Sequence, residues 1–350
     1  MTVSDLREAE LIARIQQRLP PAPDWMLVGV GDDAAVVEPE RNRVEVLTVD
    51  ALVEGIHFDR AFVPPDAVGH RALAVNLSDV AAMGATPRLA LLSMALPATL
   101  PLDDFDGLVS GFTALAARHR LHLAGGNLTR SPGPLMLDVT VIGTLKRRQA
   151  LTRRGARPGD DLYVSGTLGA AAAGLQMLQS SVASRQSSVA TGLSTGDWRL
   201  ATDDSAIQRY LRPEPRLRIG VLLARNRAAS ACIDLSDGLA DGVQQIARAS
   251  DVGAVVDVDA LPIDPAARRW FGARGIDPVR EAITAGDDYE LLVAVRPRNV
   301  RRLAAATPRG EVAFTRIGTC TEDRALVMRG TSGGAAVDAP LPPAGYRHFR

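Results

Sequence analysis

The sequence predicts a two-domain protein of the α/β (α+β) class, and three observations carry that expectation. The chain has 350 residues, which at roughly 150 residues per ordinary domain leaves room for two and not three. Hydrophobic residues make up 46% and charged residues 23%, the balance of a chain that buries proper cores. Strand-like and helix-like periodicities occur together in each half.

Taken in order, Met1 to Pro20 sets Asp5, Arg7, Glu8, Glu10, Arg14 and Arg18 among Leu6, Leu11, Ile12, Ile15 and Leu19, which reads as an amphipathic helix and not a signal peptide. Val44–Leu52 and Leu135–Leu145 read as strands, with a helix over Asp104–Arg120 between them. Pro158-Gly159, in a stretch rich in Arg, Gly and Asp, marks a boundary near residue 150. The first domain is therefore 1–150 and the second 151–350. The second restarts with a strand at Asp161–Ser165 and an Ala-rich helix from Leu168. Ser180–Asp204, poor in large apolar groups, reads as a flexible surface insertion near 180–204. A short strand then runs into Asp234, and Leu239, Val243 and Ile246 share one helix face. Strands at Ala254–Asp259 and Tyr289–Val295 follow.

Charge and residue usage exclude several functions. Forty Lys+Arg balance forty Asp+Glu, so no excess positive field exists to hold nucleic acid by counterion release. Lys146 is the only lysine and follows Leu145, which removes the Gly-Lys-Ser/Thr of a P-loop and a Schiff-base lysine. Cys232 and Cys320 stand far apart and indicate neither a disulfide framework nor a zinc site, as expected of a protein in the reducing cytoplasm. The longest charge-free window, Leu162–Ser184, is broken by Gly, Ser, Thr and Gln, so no membrane span is expected.

One local pattern recurs, in which an apolar stretch delivers an Asp into a Gly/Ser-rich turn. It occurs at Val28–Asp33, Val46–Asp50, Val75–Asp79, Ile233–Asp237 and Ala285–Asp288. Each alone reads first as turn or cap chemistry. Several converging, without Cys or His, select a hard cation such as magnesium bridged by substrate phosphates. Gly166-Thr167-Leu168-Gly169, ahead of a helix, offers backbone N–H groups to a phosphate.

These segments together resemble the thiamine-monophosphate kinases of the aminoimidazole ribonucleotide synthetase superfamily. The resemblance runs from Gly29-Val30-Gly31-Asp32-Asp33-Ala34 to Gly345-Tyr346-Arg347-His348-Phe349, and Thr48–Phe58 and Ala74–Ala85 are its most specific parts. Ala150-Leu151-Thr152-Arg153, Asp234–Gly238 and Gly286-Asp287-Asp288-Tyr289-Glu290 add to it. It implies N-terminal domains that bind ATP and metal and pair into a barrel across a homodimer. It also implies transfer of the ATP γ-phosphoryl group to thiamine monophosphate with Mg2+. Residue by residue, Asp33, Thr48, Val49, Asp50, Asp79, Asn127, Asp234 and Asp237 fall on metal positions, with Asp50, Asp79 and Asp237 closest to the catalytic task. Gly126, Asn127, Arg153 and Ser236 fall on nucleotide positions, and His57, Asp287 and Tyr346 on substrate positions. The acceptor is a phosphate with a second pKa of about 6, so its oxygen is already an anionic nucleophile at neutral pH and no general base is needed.

The chain departs from the family pattern at three positions. Gly125-Gly126-Asn127-Leu128 stands where Gly-Gly-Asp-Thr is usual, Val49 replaces a hydroxyl residue, and Asp287 stands where Glu is frequent. The first exchanges an anionic ligand for a neutral amide. Read without the resemblance, His57 is a histidine satisfied by a backbone carbonyl, Tyr346 a hydrophobic anchor, Arg153 a solvated turn residue and Cys232 a small buried hydrophobe. Two other readings stay open: a different ATP-using enzyme of the superfamily, and a nucleotide- or metal-binding homologue without turnover. Against the first, the chain lacks the N-terminal Cys and Lys of selenophosphate synthetases, and it ends in His348-Phe349-Arg350 where the hydrogenase maturation protein has a cysteine.

Overall fold

The computed structural model describes residues 1–191, 204–332 and 335–343. The chain divides into two compact units, one of Met1–Val80 and Ala85–Arg148, the other of Ala81–Gly84 and Gln149–Arg350.

The first unit begins with a helix shorter than its sequence suggests. Asp5 accepts a hydrogen bond from Thr2 N–H at 2.7 Å and closes a 3-10 turn over Val3–Asp5, so the amphipathic helix α1 is confined to Glu8–Gln16. It buries Leu11 and Ile15, one turn apart. A short antiparallel pair follows, β1 (Met26–Val28) and β2 (Val36–Val37), then β3 (Arg43–Val53), α2 (Pro65–Ala82), β4 (Thr86–Pro97), α3 (Leu102–Arg118), β5 (His122–Ser131) and β6 (Met136–Lys146). The four long strands form one sheet in the order β3-β6-β4-β5.

The register of that sheet decides which side chains share a face. Thr48, Asp50 and Leu52 of β3 pair with Val141, Val139 and Leu137 of β6, which pair in turn with Ala90, Leu92 and Met94 of β4. This face is buried, and the apolar residues of α2 and α3 are buried with it. The two helices touch backbone to backbone: a Cβ on Gly69 would lie 1.9 Å from the carbonyl oxygen of Leu108, and one on Gly111 would lie 1.8 Å from that of Asp66. On the other face, β1 and β2 cover one end, where Met26, Leu89 and Ala124 form a small core with Trp25, Val37 and Ile142. The rest of that face stays open, with Leu47 65% and Val49 59% exposed beside the partly exposed Leu91 and Met136.

The second unit contains β7 (Asp161–Ser165), α4 (Ala170–Thr191), α5 (Ser205–Leu211), α6 (Leu217–Asn226), β8 (Ala231–Asp234), α7 (Leu239–Ser250), β9 (Gly253–Asp257), α8 (Pro265–Gly272), α9 (Pro278–Thr284), β10 (Leu291–Val295), α10 (Val300–Gly310), β11 (Phe314–Thr321), β12 (Leu326–Ser332) and β13 (Ala335–Pro340). Its seven-stranded sheet has the order β13-β12-β9-β11-β7-β10-β8, antiparallel except where β12 meets β9. Leu239, Val243 and Ile246 of α7 are buried against the sheet in one core with Ile233 and Leu292, as their spacing predicts.

Three expectations change here. The insertion expected over 180–204 is helical in its first part, because α4 continues to Thr191, and residues 192–203 lie outside the described residues. The strand expected to Asp259 ends at Asp257, whose carboxylate accepts Asp259 N–H and starts a 3-10 turn. Tyr289 stands outside β10, since its φ of +50° is incompatible with a strand. No described helix is long and apolar enough to cross a membrane.

Candidate active site

In the first unit the polar residues of β3 meet the end of α2. Strand alternation turns Thr48 and Asp50 toward the helical side and Val49 to the open face. Thr48 Oγ1 donates to Asp79 Oδ2 at 2.5 Å. Val49 therefore has no side-chain role there, and only its backbone oxygen is a possible ligand. Two of the recurring Asp patterns are corrected: Asp50 lies inside β3, which runs on to Val53, and Asp79 lies in α2, not at a strand end. The apolar run Val75-Asn76-Leu77 belongs to an Ala-rich stretch that starts at Pro65 and is buried almost all round, so it carries no clear period.

Beyond β3 the chain closes a tight loop. His57 N–H donates to Val53 O at 2.9 Å and Gly55 N–H to Phe58 O at 2.8 Å, with Gly55 at φ +83°. His57 Nδ1 accepts from Val53 N–H at 3.0 Å. The ring is half-buried, and the nitrogen that accepts this bond carries no proton. Glu54 anchors the loop, accepting from Arg60 Nε at 2.7 Å and Leu135 N–H at 3.0 Å. Burial works to raise its pKa, but these two donors outweigh it and hold the carboxyl below the usual range.

Asp33 is exposed in the loop between β1 and β2, where its backbone N–H donates to Asp32 Oδ1 at 2.9 Å. On β5, Gly126 shares a register row with Asp50, and a Cβ there would lie 1.8 Å from Leu92 O, so only glycine fits. Asn127 is exposed in the adjacent row, next to Ser93, which pairs with Asp138. Among the described residues, no three His, Cys, Asp or Glu side chains form a metal-holding group.

In the second unit, β8 ends at the buried Asp234 and leads into half-buried Ser236 and Asp237 ahead of α7. The segment 285–290 is zipped to this loop. Asp287 N–H donates to Ser236 O at 2.8 Å, Tyr289 N–H to Leu235 O at 3.1 Å, and Leu235 N–H to Glu290 O at 2.8 Å. Asp287 therefore reaches the site from a turn ahead of β10 and not from a strand end. Tyr289 Oη donates to Asp287 Oδ1 at 2.9 Å. Arg153 is exposed in the segment ahead of β7, and Tyr346 lies outside the described residues.

The Gly166–Gly169 turn offers no phosphate cradle, because protein acceptors take its N–H groups. Gly169 N–H donates to Asp288 Oδ2 at 2.8 Å, Gly166 N–H to Ala313 O and Leu168 N–H to Pro262 O. Burial pushes the Asp288 carboxyl up to about 7, against the Gly169 N–H and Arg209 that pull it down. Its folded value lies above its unfolded one, so its contribution to stability is full below the ordinary Asp range and is lost as pH rises through about 7. Asp288→Asn cannot titrate. Its melting temperature relative to wild type should therefore rise between about pH 5 and about pH 8, and a constant difference would show a carboxylate ionised throughout.

Cys232 and Cys320 are buried and unbridged, and burial raises both thiol pKa values, that of Cys320 to about 12. Neither is a nucleophile.

Two sheet-based units with oxygen-rich loops define the class. The N-terminal domain of AIR synthase related proteins matches residues 31–145 and their C-terminal domain residues 157–330. The chain belongs to this family, and within it to the thiamine-monophosphate kinases. It is 33% identical over 331 residues to the thiamine-monophosphate kinase of Bacillus subtilis, covering 92% of this chain and 94% of that protein. The crystal structure of thiamine-monophosphate kinase from Stenotrophomonas maltophilia superposes with a TM-score of 0.79 at 38% identity, over 92% of this chain and 96% of that one. The structure of AaThiL complexed with AMPPCP and TMP matches with a TM-score of 0.72 at 30% identity, over 100% and 99% of the two chains.

Proposed function

We propose that this protein transfers the γ-phosphoryl group of ATP to thiamine monophosphate, giving thiamine diphosphate and ADP. The observation that carries this reading is full-length similarity to a solved relative bound to AMPPCP, a non-hydrolysable ATP analogue, together with TMP. An oxygen of the acceptor phosphate attacks the γ-phosphorus, the bond to the β,γ-bridging oxygen breaks, and ADP leaves with that oxygen. The barrier lies in holding two polyanions in line, so positioning and charge neutralisation do the work.

The donors present suit magnesium. Thr48, Asp50 and Asp79 in the first unit, and Asp234 and Asp237 in the second, are all hard oxygen ligands, half-buried or buried, with no competing thiolate or imidazole. The described residues form no three-carboxylate cage, and magnesium is commonly held by one or two carboxylates, keeping waters and completed by substrate phosphates. Asp33, the backbone of Val49 and Asn127 are further ligands in this reading, and Asp50, Asp79 and Asp237 carry the catalytic charge. When bound, the metal neutralises phosphate charge. Gly126, Asn127, Arg153 and Ser236 hold the nucleotide, while His57, Asp287 and Tyr346 hold the acceptor.

The open face bearing Leu47, Val49, Leu91 and Met136, on a sheet whose edge strands are β3 and β5, supports pairing of two N-terminal domains into a barrel across a homodimer. Residues 1–150 then form the ATP, metal and dimerisation domain and 151–350 the second α/β domain. Unbridged, buried cysteines and the use of ATP support a cytoplasmic reaction.

Chromatographic separation of thiamine species after incubation with ATP and magnesium tests the activity. Thiamine diphosphate should appear in step with ADP, and consumption of a different superfamily acceptor in its place would overturn the assignment. His57→Ala should raise KM for thiamine monophosphate about tenfold and leave kcat within about threefold. An unchanged KM removes His57 from the acceptor site.

A binding homologue without turnover is the second reading, and Asn127 is the observation behind it. If turnover survives, Asn127→Asp should lower the magnesium concentration for half-maximal rate by about tenfold, or about 1.4 kcal/mol. An unaltered or higher magnesium requirement shows that the side chain at 127 is not a ligand.

A further inference from the structure

A heavily bonded buried charge in the second unit lies outside the residues given roles above. Glu290 has no exposed surface. Its Oε1 accepts from Arg209 Nη2 at 2.6 Å and from Arg216 Nη2, and its Oε2 accepts from Arg216 Nε at 2.7 Å and Ser165 Oγ at 2.6 Å. Four donors meet the four lone-pair sites of one carboxylate, so the group is immobile. Gly166 makes room for it, since a Cβ there would lie 2.2 Å from Oε1.

Such a cluster is a weak device for stability, because well-packed apolar side chains of the same volume do as well or better. What it does here is hold backbone. Immediately before Glu290 the chain makes a turn in a sparsely populated backbone conformation: Asp287 at φ +68° and Tyr289 at φ +50° are both left-handed and neither is glycine. Arg209 Nη2 also donates to the carbonyl oxygen of Asp288 at 3.3 Å, inside that turn. Glu290 pins the turn's far end and the β8–α7 loop its near end. The product of the arrangement is the aim of one half-buried function, the Asp287 carboxylate held by the Tyr289 hydroxyl.

We propose that Arg209 and Arg216 are positioning residues for acceptor binding. By clamping Glu290 they fix the left-handed turn that directs Asp287, and Tyr289 sets the orientation of its carboxylate. The inference rests on the reading of Asp287 as an acceptor-binding residue and adds the specificity apparatus behind it. Lysine in place of Arg216 keeps the charge and loses the fork that spans both oxygens.

The test is a double-mutant cycle on the full chain, using Arg216→Lys, Tyr289→Phe, Asp287→Asn and the two doubles containing Asp287→Asn. Thiamine monophosphate affinity is measured by calorimetry without ATP, alongside KM for both substrates, kcat and melting temperature. Arg216→Lys and Tyr289→Phe should each weaken thiamine monophosphate binding about tenfold while KM for ATP changes by less than about twofold. In the Asp287→Asn background the further loss should fall below about twofold, because both residues act through that carboxylate. Equal losses in the two backgrounds, or equal effects on both substrates, overturn the positioning role and leave a structural clamp. If Asp287→Asn alone leaves thiamine monophosphate binding intact, the acceptor role of Asp287 fails, and the clamp's role in binding fails with it.

Discussion

Asp79→Asn will lower kcat by about three orders of magnitude at saturating substrates and magnesium. A carboxylate on the metal contributes several kcal/mol to neutralising phosphoryl charge in the transition state, and each 1.36 kcal/mol is worth tenfold in rate. Asparagine still offers an oxygen to the Thr48 hydroxyl, which donates to Asp79 in the wild type. The fold should therefore survive, and the melting temperature should move by no more than about 3 °C. Rate measured against free magnesium at fixed ATP separates the two consequences of the change, weaker metal binding and a lower ceiling. A kcat within about tenfold of wild type at high magnesium would take Asp79 out of the metal site.

Glu290→Ala will have the largest effect on stability, about 3–5 kcal/mol. It leaves the Arg209 and Arg216 guanidiniums, whose side chains are 23% and 17% exposed, without their shared carboxylate. Ser165 Oγ loses its acceptor as well, while still accepting from Leu291 N–H at 2.9 Å. For a unit of this size the loss corresponds to roughly 10 °C in melting temperature. Adding Arg216→Met to Glu290→Ala should recover part of it by removing one stranded charge. Denaturant unfolding of both variants checks this, and a loss under about 1 kcal/mol in Glu290→Ala would mean that the two arginines find other partners.

Much of the local structure around the candidate site was legible in short stretches of sequence because its residues are local to the elements that carry them. The alternation through Thr48-Val49-Asp50 assigns Val49 to one face and its neighbours to the other. The Gly-Ile-His turn after β3 and the Asp-Leu-Ser-Asp-Gly turn after β8 are set by their own glycines and hydrogen bonds. Asp79 was harder to place, since a few apolar residues before an Asp look alike in a buried helix and in a strand, and only the full stretch from Pro65 arbitrates.

By itself the sequence determined the family, the two-unit α/β organisation, the principal strands and helices, and the acidic, lysine-poor chemistry that suits phosphate and a hard cation. These are written in composition, periodicity and ordered motifs, which depend on near neighbours along the chain. Tertiary structure alone decided which groups occupy one another. It gave the Gly169 N–H to Asp288 and not to a phosphate, put Thr48 against Asp79 across 31 residues, and brought Arg209 and Arg216 to Glu290 across 81 and 74. No local signal marks such pairs. A buried carboxylate takes whichever donors the packing of distant helices delivers, because leaving it unpaired in a dry interior costs more than ordering the side chains that reach it.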